Sequence, residues 1–258
     1  MIKVESLGHN YGNGTAALRK LSFEIMTGEK VVLLGVNGSG KTTLLKILNG
    51  LIFPTEGRYF YKEQQVTRKV LKDRTFNHTF RKEVVLLFQN PESMIFNPTV
   101  YDEIAFSLRQ LELDDTDARV RYWANLLGIS RHLDSPPFHL SSGEKQRVCL
   151  ASLLCLEPEM LLLDEPTSKL DPRSTGWLID FLQDLEVTTL VTTHNLTLAA
   201  ELGERTMVLS ERHELIYEGG IEDLLRDRER LLEANLLHSH RHRHGAMEHG
   251  HFHTHDWE

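Results

Sequence analysis

Residues 35–42 read GVNGSGKT, directly after the apolar run KVVLL and directly before TLLKILNG. This is G-x-x-x-x-G-K-[ST] in the strand-then-helix setting the pattern needs. Few stretches limit a fold so tightly. A buried strand must end at a turn whose glycines let backbone N–H groups converge, and a helix must start there with its positive end toward the same point. An α/β fold that receives phosphate at the loop follows. Gly35, Asn37, Gly38, Ser39 and Gly40 build the loop, Lys41 supplies a mobile ammonium for β- and γ-phosphates, Thr42 offers a hydroxyl to Mg²⁺, and Thr43 extends the nucleotide contacts. A glycine-rich turn without a ligand is the plain alternative, and the joint presence of strand, Lys-Thr pair and helix weighs against it.

The rest of the chain keeps alternating short apolar runs with helical patterns: EVVLLFQ, MLLLDEP then PRSTGWLIDFLQDL, TTLVTTH then NLTLAAELG, and RTMVLS. Near-continuous apolar strands separated by helices predict a mainly parallel core sheet. IKVESL, ALRKLSFEIM and RYFYKEQ predict an antiparallel N-terminal β-subdomain. Over about residues 91–157 the strand signal gives way to a helical insert, with Thr99 and Asp102 spaced as a capping box and Gly128 closing TDARVRYWANLLG. Asp171 before Pro172, and Asn195 after TTLVTTH, read as helix N-caps. The expected organisation is one domain over 1–236 and a low-complexity tail, 237–258, too polar to form a core and expected to be disordered.

Composition removes several classes of function. The formal net charge is −8 with histidine neutral, and the basic residues are dispersed, which argues against a nucleic-acid partner. The densest basic run, TRKVLKDRTFNHTFRKE at 67–83, reads as a solvated surface insertion. No apolar stretch approaches the roughly 18 residues of a membrane-spanning helix, and MIKVESLGHNYG lacks a secretory pattern, so the cytosol is the expected compartment. Cys149 and Cys155 lie in the apolar VCLASLLCLEP and read as reduced core residues without chemistry.

MLLLDE places Asp164 and Glu165 at the end of an apolar strand. In a nucleotide site the first carboxylate can hold Mg²⁺, usually through water, while the second orients and activates the attacking water. Such a pair alone is more often a polar strand end. The phosphate loop upstream reverses that balance.

With LSSGEKQRV at 140–148 the chain resembles, over about residues 2–235, the ATP-binding subunit of ABC transporters, whose signature reads L-S-G-G-Q. The order is similar too: phosphate loop, Gln89 in LLFQNP, signature, LLLDEP, SKLD and VTTH. The resemblance implies the P-loop ATPase fold of that family and hydrolysis of ATP with Mg²⁺. It implies that Tyr11 stacks on adenine, although HNYGNG is also good turn sequence, that Gln89 reaches Mg²⁺ and the attacking water, and that His194 bonds the γ-phosphate and helps place Glu165. Ser141 and Gly143 match the signature residues that contact ATP held by the opposite subunit, and Asp171 matches the aspartate that bridges the halves. A second ATPase subunit, identical or related, is therefore implied. Three residues depart from the pattern: Ser142 for glycine, Glu144 for glutamine and Lys169 for alanine. Each adds bulk or charge near the implied dimer interface, and slower or partner-dependent hydrolysis is the expectation.

FQNPESMIF, TVYDEIAF and LLEANLL resemble the energy-coupling-factor group of importers, which take up cobalt, nickel and vitamins. Transmembrane coupling and substrate-binding subunits, with this chain peripheral on the cytoplasmic face of the membrane, are implied. The tail then acquires a use. His238, His240, His242 and His244 precede a short interruption, and His249, His251, His253 and His255 follow it. Each cluster could fill a four-coordinate shell around Ni²⁺, Co²⁺ or Zn²⁺. A purification tag would be a contiguous run, and a solvated tail without ligand is the remaining alternative. Nickel or cobalt uptake is the expected cargo. A vitamin, a soluble non-transport ATPase, and a metal store or sensor using ATP only to dimerise stay open.

Overall fold

The computed structural model describes residues 1–12, 14–244 and 247–254, with the backbone alone described over 238–244 and 247–254. The chain divides into two compact units, residues 1–67 with 190–258, and residues 68–189.

The first unit begins with β1 (Ile2–Asn10) and β2 (Ala16–Ile25), paired antiparallel from Ile2 opposite Ile25 to Asn10 opposite Ala16. Alternation puts Ile2, Val4, Leu21, Phe23 and Ile25 inside. β3 (Lys30–Leu34) feeds α1 (Lys41–Leu48), and β4 (Glu56–Tyr61) and β5 (Gln64–Gln65) complete a sheet of order β2-β1-β4-β5. This is the expected antiparallel N-terminal subdomain. The second unit holds α2 (Arg74–Glu83), β6 (Val84–Leu87), α3 (Val100–Gln110), α4 (Thr116–Leu126), α5 (Ser142–Leu154), β7 (Met160–Asp164) and α6 (Pro172–Asp184). β8 (Thr188–Thr193) follows. The chain re-enters the first unit within β8, at residue 190, and continues there with α7 (Leu196–Leu202), β9 (Arg205–Leu209), β10 (Leu215–Gly220), α8 (Ile221–Arg226) and α9 (Arg228–Glu233). β11 (Leu237–His244) and β12 (Met247–Thr254) pair antiparallel, Leu237 opposite Thr254.

The parallel core expected from the apolar runs is present in both units: β3 pairs parallel with β9, Val31 opposite Arg205, and β6 pairs parallel with β7, Val84 opposite Met160. β10 returns antiparallel to β9. Between β6 and β7 the chain is helical and without strands among the described residues. The caps read from sequence are made. Thr99 Oγ1 accepts from Asp102 N at 3.0 Å, Asp171 Oδ1 accepts from Arg173 N and Ser174 N at 3.0 and 3.1 Å, and Asn195 Oδ1 accepts from Leu198 N at 3.0 Å.

The basic run differs from expectation in one respect. Residues 74–83 form a helix, capped by Asp73, whose carboxylate accepts from Phe76 N at 2.9 Å. Phe76 stacks on the fully buried Phe80, with ring centroids 5.8 Å apart, and burial lowers the pKa of the Arg81 guanidinium. Two aromatics four residues apart anchor an otherwise charged helix, a spacing masked in sequence by the surrounding Arg and Lys.

Two contacts set the elements that matter for the site. Arg147 on α5 lies 3.9 Å over the Trp177 ring of α6, which in turn stacks on Phe181. In the first unit the fully buried Tyr59 of β4 donates its hydroxyl to Leu48 O at 2.8 Å, fastening the last turn of α1. Burial pushes the Tyr59 phenol well above its ordinary pKa, so it stays a donor. Tyr59→Phe leaves that carbonyl without its buried donor and is expected to lower stability by about 1–2 kcal/mol in urea titrations, with the secondary structure unchanged by circular dichroism.

Candidate functional site

In the first unit, Val31, Val32, Leu33 and Leu34 are completely buried, so β3 is a rigid base for the loop it ends in. The glycines of that loop are required by space. A Cβ on Gly35 would lie 2.6 Å from Ser39 Oγ and 2.7 Å from Leu209 O, and one on Gly40, at φ 112, would run into the Ala17 carbonyl. Lys41 is 6% exposed and folds back over the loop, donating from Nζ to Gly35 O at 2.6 Å and Val36 O at 3.2 Å. Asn37, Gly38 and Thr42 are exposed, while Ser39 is buried and its Oγ has no partner among the described residues.

Thr43 is buried on α1, and its hydroxyl lies 2.8 Å from that of Tyr11. Tyr11 follows β1, is 42% exposed, and meets the His9 ring edge to face at 5.0 Å. The residue expected to stack on adenine is thus tethered by its hydroxyl to the phosphate-loop helix, with its ring accessible. His194 is half-buried immediately after β8.

In the second unit, β7 delivers Asp164 and Glu165 at 2% and 5% exposure. Glu165 has φ 46, a left-handed conformation that strains a side-chain-bearing residue. It is held there: Ser168 Oγ donates to Glu165 O at 2.9 Å, Ser168 N donates to the same oxygen at 3.2 Å, and buried Gln146 of α5 donates to Pro166 O at 2.7 Å. A cavity of about 170 Å³ is lined by Gln89, Ser142, Glu165 and Lys169, among others. The fold therefore brings together the predicted water-positioning glutamine, the predicted base and two of the three departures from the family pattern.

The signature segment is a helix start. Ser141 caps α5 through a reciprocal box with Glu144: Ser141 Oγ accepts from Glu144 N at 3.3 Å, while Glu144 Oε2 accepts from Ser141 N at 3.0 Å and Ser141 Oγ at 2.8 Å. Arg131 donates to Glu144 Oε1 at 3.1 Å, and His132 Nε2 lies 3.0 Å from the same oxygen. Ser142 is an exposed residue in the first turn of α5 and is not among the positive-φ positions, so the conformation that only glycine tolerates is not needed there. Gly143 faces Ser174, where a Cβ would come within 3.1 Å of Ser174 Oγ, and Ser174 in turn donates to Asp171 Oδ2 at 2.6 Å. Lys169 is exposed beside the Glu92 carboxylate, whose pKa is lowered chiefly by its hydrogen bond from Lys145.

Sequence reasoning missed Gln146, Arg131 and His132. Gln146 stood in the KQR that follows the signature and so had a signal, whereas the other two are brought to Glu144 only by the fold. The eight tail histidines, His238 to His255, lie outside the described side chains. Among the described residues no group of three or more His, Cys, Asp or Glu is gathered as for a metal ion, and no helix is long and apolar enough to cross a membrane. Cys149 and Cys155 are buried, which pushes both thiols up to about 12.

The donors on Glu144, first of all the Ser141 backbone N–H and then its hydroxyl, hold the carboxyl down at about 2 from an ordinary 4.5. A depressed folded-state value stabilises the ionised protein above about pH 4.5, and that contribution disappears as the pH falls toward about 2. Thermal melts of the original chain and of Glu144→Gln are expected to differ most above pH 5 and to converge on acidification through that window.

Comparison with known proteins agrees with this arrangement. The sequence model of the family described as ABC transporter matches residues 18–168. The energy-coupling factor transporter ATP-binding protein EcfA of Methanothermobacter thermautotrophicus is 36% identical, over 92% of this chain and 76% of its own length. Among solved structures, CbiO1 of Clostridium perfringens, part of the ABC transporter complex CbiONQ, superposes with a TM-score of 0.77 at 31% identity, covering 91% of this chain and 94% of that one. The dimeric ABC transporter cassette MJ0796 gives 0.76 at 27% identity, covering 86% of this chain and 99% of that one. A glycine loop at a buried strand end, a strained acidic residue closing a second strand, and these relatives lead to one conclusion: the chain belongs to the ABC transporter ATP-binding family, as an energy-coupling-factor-type ATPase.

Proposed function

We propose that this ATPase energises a membrane importer for nickel or cobalt ions, as one half of a dimer bound to transmembrane coupling and substrate-binding subunits on the cytoplasmic face of the membrane. The observation that carries the nucleotide part is the loop from Gly35 to Lys41, whose close approaches exclude side chains at Gly35 and Gly40 and leave backbone amides to line it. The dimer is supported by the likeness to the dimeric MJ0796 cassette, and the membrane partners by the likeness to CbiO1. The ATPase domain is assigned to 1–236 and the histidine tail to 237–258.

In this reading Lys41 exchanges the Gly35 and Val36 carbonyls for the β- and γ-phosphates, a stronger charge-assisted pairing. Glu165, fixed in place by Ser168 and Gln146, takes the proton of the attacking water, with Gln89 and His194 orienting water and γ-phosphate. Tyr11 receives adenine. Ser141 and Gly143 meet the triphosphate held by the second subunit, and Asp171 reaches across the same interface. Thr42, Gln89 and Asp164 all offer oxygen, the donor that Mg²⁺ requires, and a bound Mg²⁺ would neutralise charge on the phosphates.

Nickel or cobalt as cargo rests on the sequence likeness to importers of those ions and on the paired histidine clusters, His238–His244 and His249–His255. Imidazole coordinates such ions when neutral. Copurification of a multi-span membrane protein in mild detergent separates this reading from a soluble, non-transport ATPase, which would use the same nucleotide site.

Glu165→Gln is expected to lower the hydrolysis rate roughly 10²-fold or more while leaving ATP binding intact, and ATP with Mg²⁺ should then drive the variant to a dimer in size-exclusion chromatography. Unchanged turnover would remove Glu165 from its role. For the tail, nickel or cobalt titrated calorimetrically should bind the full chain at pH 7.5 and be released toward pH 5, as imidazoles with an ordinary pKa near ~6.5 protonate. A chain ending at residue 236 should show no such uptake and should hydrolyse ATP at a similar rate; equal uptake by both chains would exclude the tail.

A further inference from the structure

The hairpin between β9 and β10 is built around a residue in an unfavourable conformation. His213 has φ 66, where a Cβ is strained and glycine is at ease. The turn around it is closed by Ser210 N donating to Glu214 O at 3.0 Å and His213 N donating to Ser210 O at 2.9 Å. It is also tied to its surroundings at two points: Arg19 N of β2 donates to His213 O at 2.9 Å, and Asn235 Nδ2 donates to Glu211 Oε1 at 2.7 Å. From this fixed mount the half-buried imidazole places Nδ1 3.0 Å from the carbonyl oxygen of Ser39, in the middle of the phosphate loop. A carbonyl only accepts, so Nδ1 carries the proton and donates.

We propose that His213 is a positioning residue for nucleotide binding, which holds the Ser39–Gly40 peptide so that the Gly40 N–H is aimed at the phosphates. In a planar trans peptide the carbonyl and the following N–H point in opposite directions. Gripping Ser39 O from the hairpin side therefore directs the Gly40 N–H to the other side. Ser39 N donates to Val36 O at 3.2 Å and Leu44 N to Gly40 O at 2.9 Å, so the flanking peptides are tied within the loop and α1, while the Ser39–Gly40 peptide between them is gripped from the hairpin. Gly40 lies at φ 112, in a region only glycine visits freely, and Ser39 Oγ has no partner among the described residues. When Lys41 leaves Gly35 O and Val36 O for the phosphates, the bond from His213 to Ser39 O persists, so this peptide keeps its orientation while the anion binds. The inference rests on the nucleotide-site reading above and adds to it a residue that touches the loop and not the nucleotide.

Two substitutions separate this role from simple support of the fold. His213→Gly removes the donor and relieves the backbone strain. His213→Asn keeps a donor, since the amide nitrogen sits one bond beyond Cγ as Nδ1 does, and asparagine tolerates positive φ. The full chain and both variants are melted, titrated with a fluorescent ATP analogue and Mg²⁺, and assayed for KM and kcat. The glycine variant should melt no lower than the original chain, yet show Kd and KM raised roughly three- to tenfold with kcat within about twofold, and the asparagine variant should retain most of the original affinity. Unchanged Kd and KM in His213→Gly would overturn the proposal, as would a lowered melting temperature with no rescue by asparagine. If the original chain itself fails to bind the ATP analogue, the nucleotide-site reading falls and this one with it. Normal binding by both the original chain and the glycine variant overturns this one alone.

Discussion

Backbone amides can hold a triphosphate only while their peptides are kept from turning over, and the phosphate loop is arranged to prevent that. β3 is buried along Val31–Leu34, so the loop starts from a fixed point. Leu209 O and Ala17 O press on it closely enough to exclude any Cβ at Gly35 and Gly40. Lys41, nine-tenths buried, would be a costly isolated charge if it were not solvated by Gly35 O and Val36 O. Until Lys41 passes to a phosphate, the same two bonds orient the peptides that follow those carbonyls. Charge, packing and peptide geometry thus act on one short segment, and Tyr59 and Tyr11 extend the constraint to the far and near ends of α1.

The second unit solves a different problem, the placing of a carboxylate. Glu165 is in a left-handed conformation that costs on the order of 1–3 kcal/mol. Three hydrogen bonds to two consecutive carbonyls, Glu165 O and Pro166 O, hold the turn against that strain. One of the donors, Gln146, belongs to α5, the helix that Ser141 caps, and Arg147 one residue later stacks on Trp177 of α6, the helix that Asp171 caps. Signature, acidic turn and Asp171 are consequently fastened to one another through α5, by the buried Gln146 bond on one side and by the exposed caps at Ser141 and Asp171 on the other.

What the sequence made legible is what local spacing encodes. The Gly35–Thr42 pattern, the apolar runs of β3, β6 and β7, and the caps Thr99, Asp171 and Asn195 each depend on residues within a few positions of one another, so periodicity and residue type sufficed. α2 was hidden because its two anchoring aromatics are outnumbered by charges. His213 was hidden for a stronger reason. Its partner Ser39 lies 174 positions away, and a histidine in a polar turn resembles any other turn residue until the fold shows its strained backbone and what its ring holds. The mainly parallel sheet was legible in kind, while the identity of the residues pinning Glu165 was not.

Glu144 shows why a departure from a family pattern has to be judged in its folded surroundings. Read alone, an added carboxylate in the signature adds negative charge where a triphosphate is expected, and it threatens repulsion. In the fold that carboxylate is an acceptor already filled: Ser141 donates twice to Oε2, Arg131 donates to Oε1, and His132 stands 3.0 Å from the same oxygen. The local charge is offset by Arg131, and the carboxylate serves the capping box that starts α5. A neutral glutamine could complete the box, but Arg131 would then face an uncharged amide beside the turn and leave a net positive site. The glutamate and its arginine therefore form one electrostatic unit, and removing either partner alone should disturb the signature turn more than replacing both together.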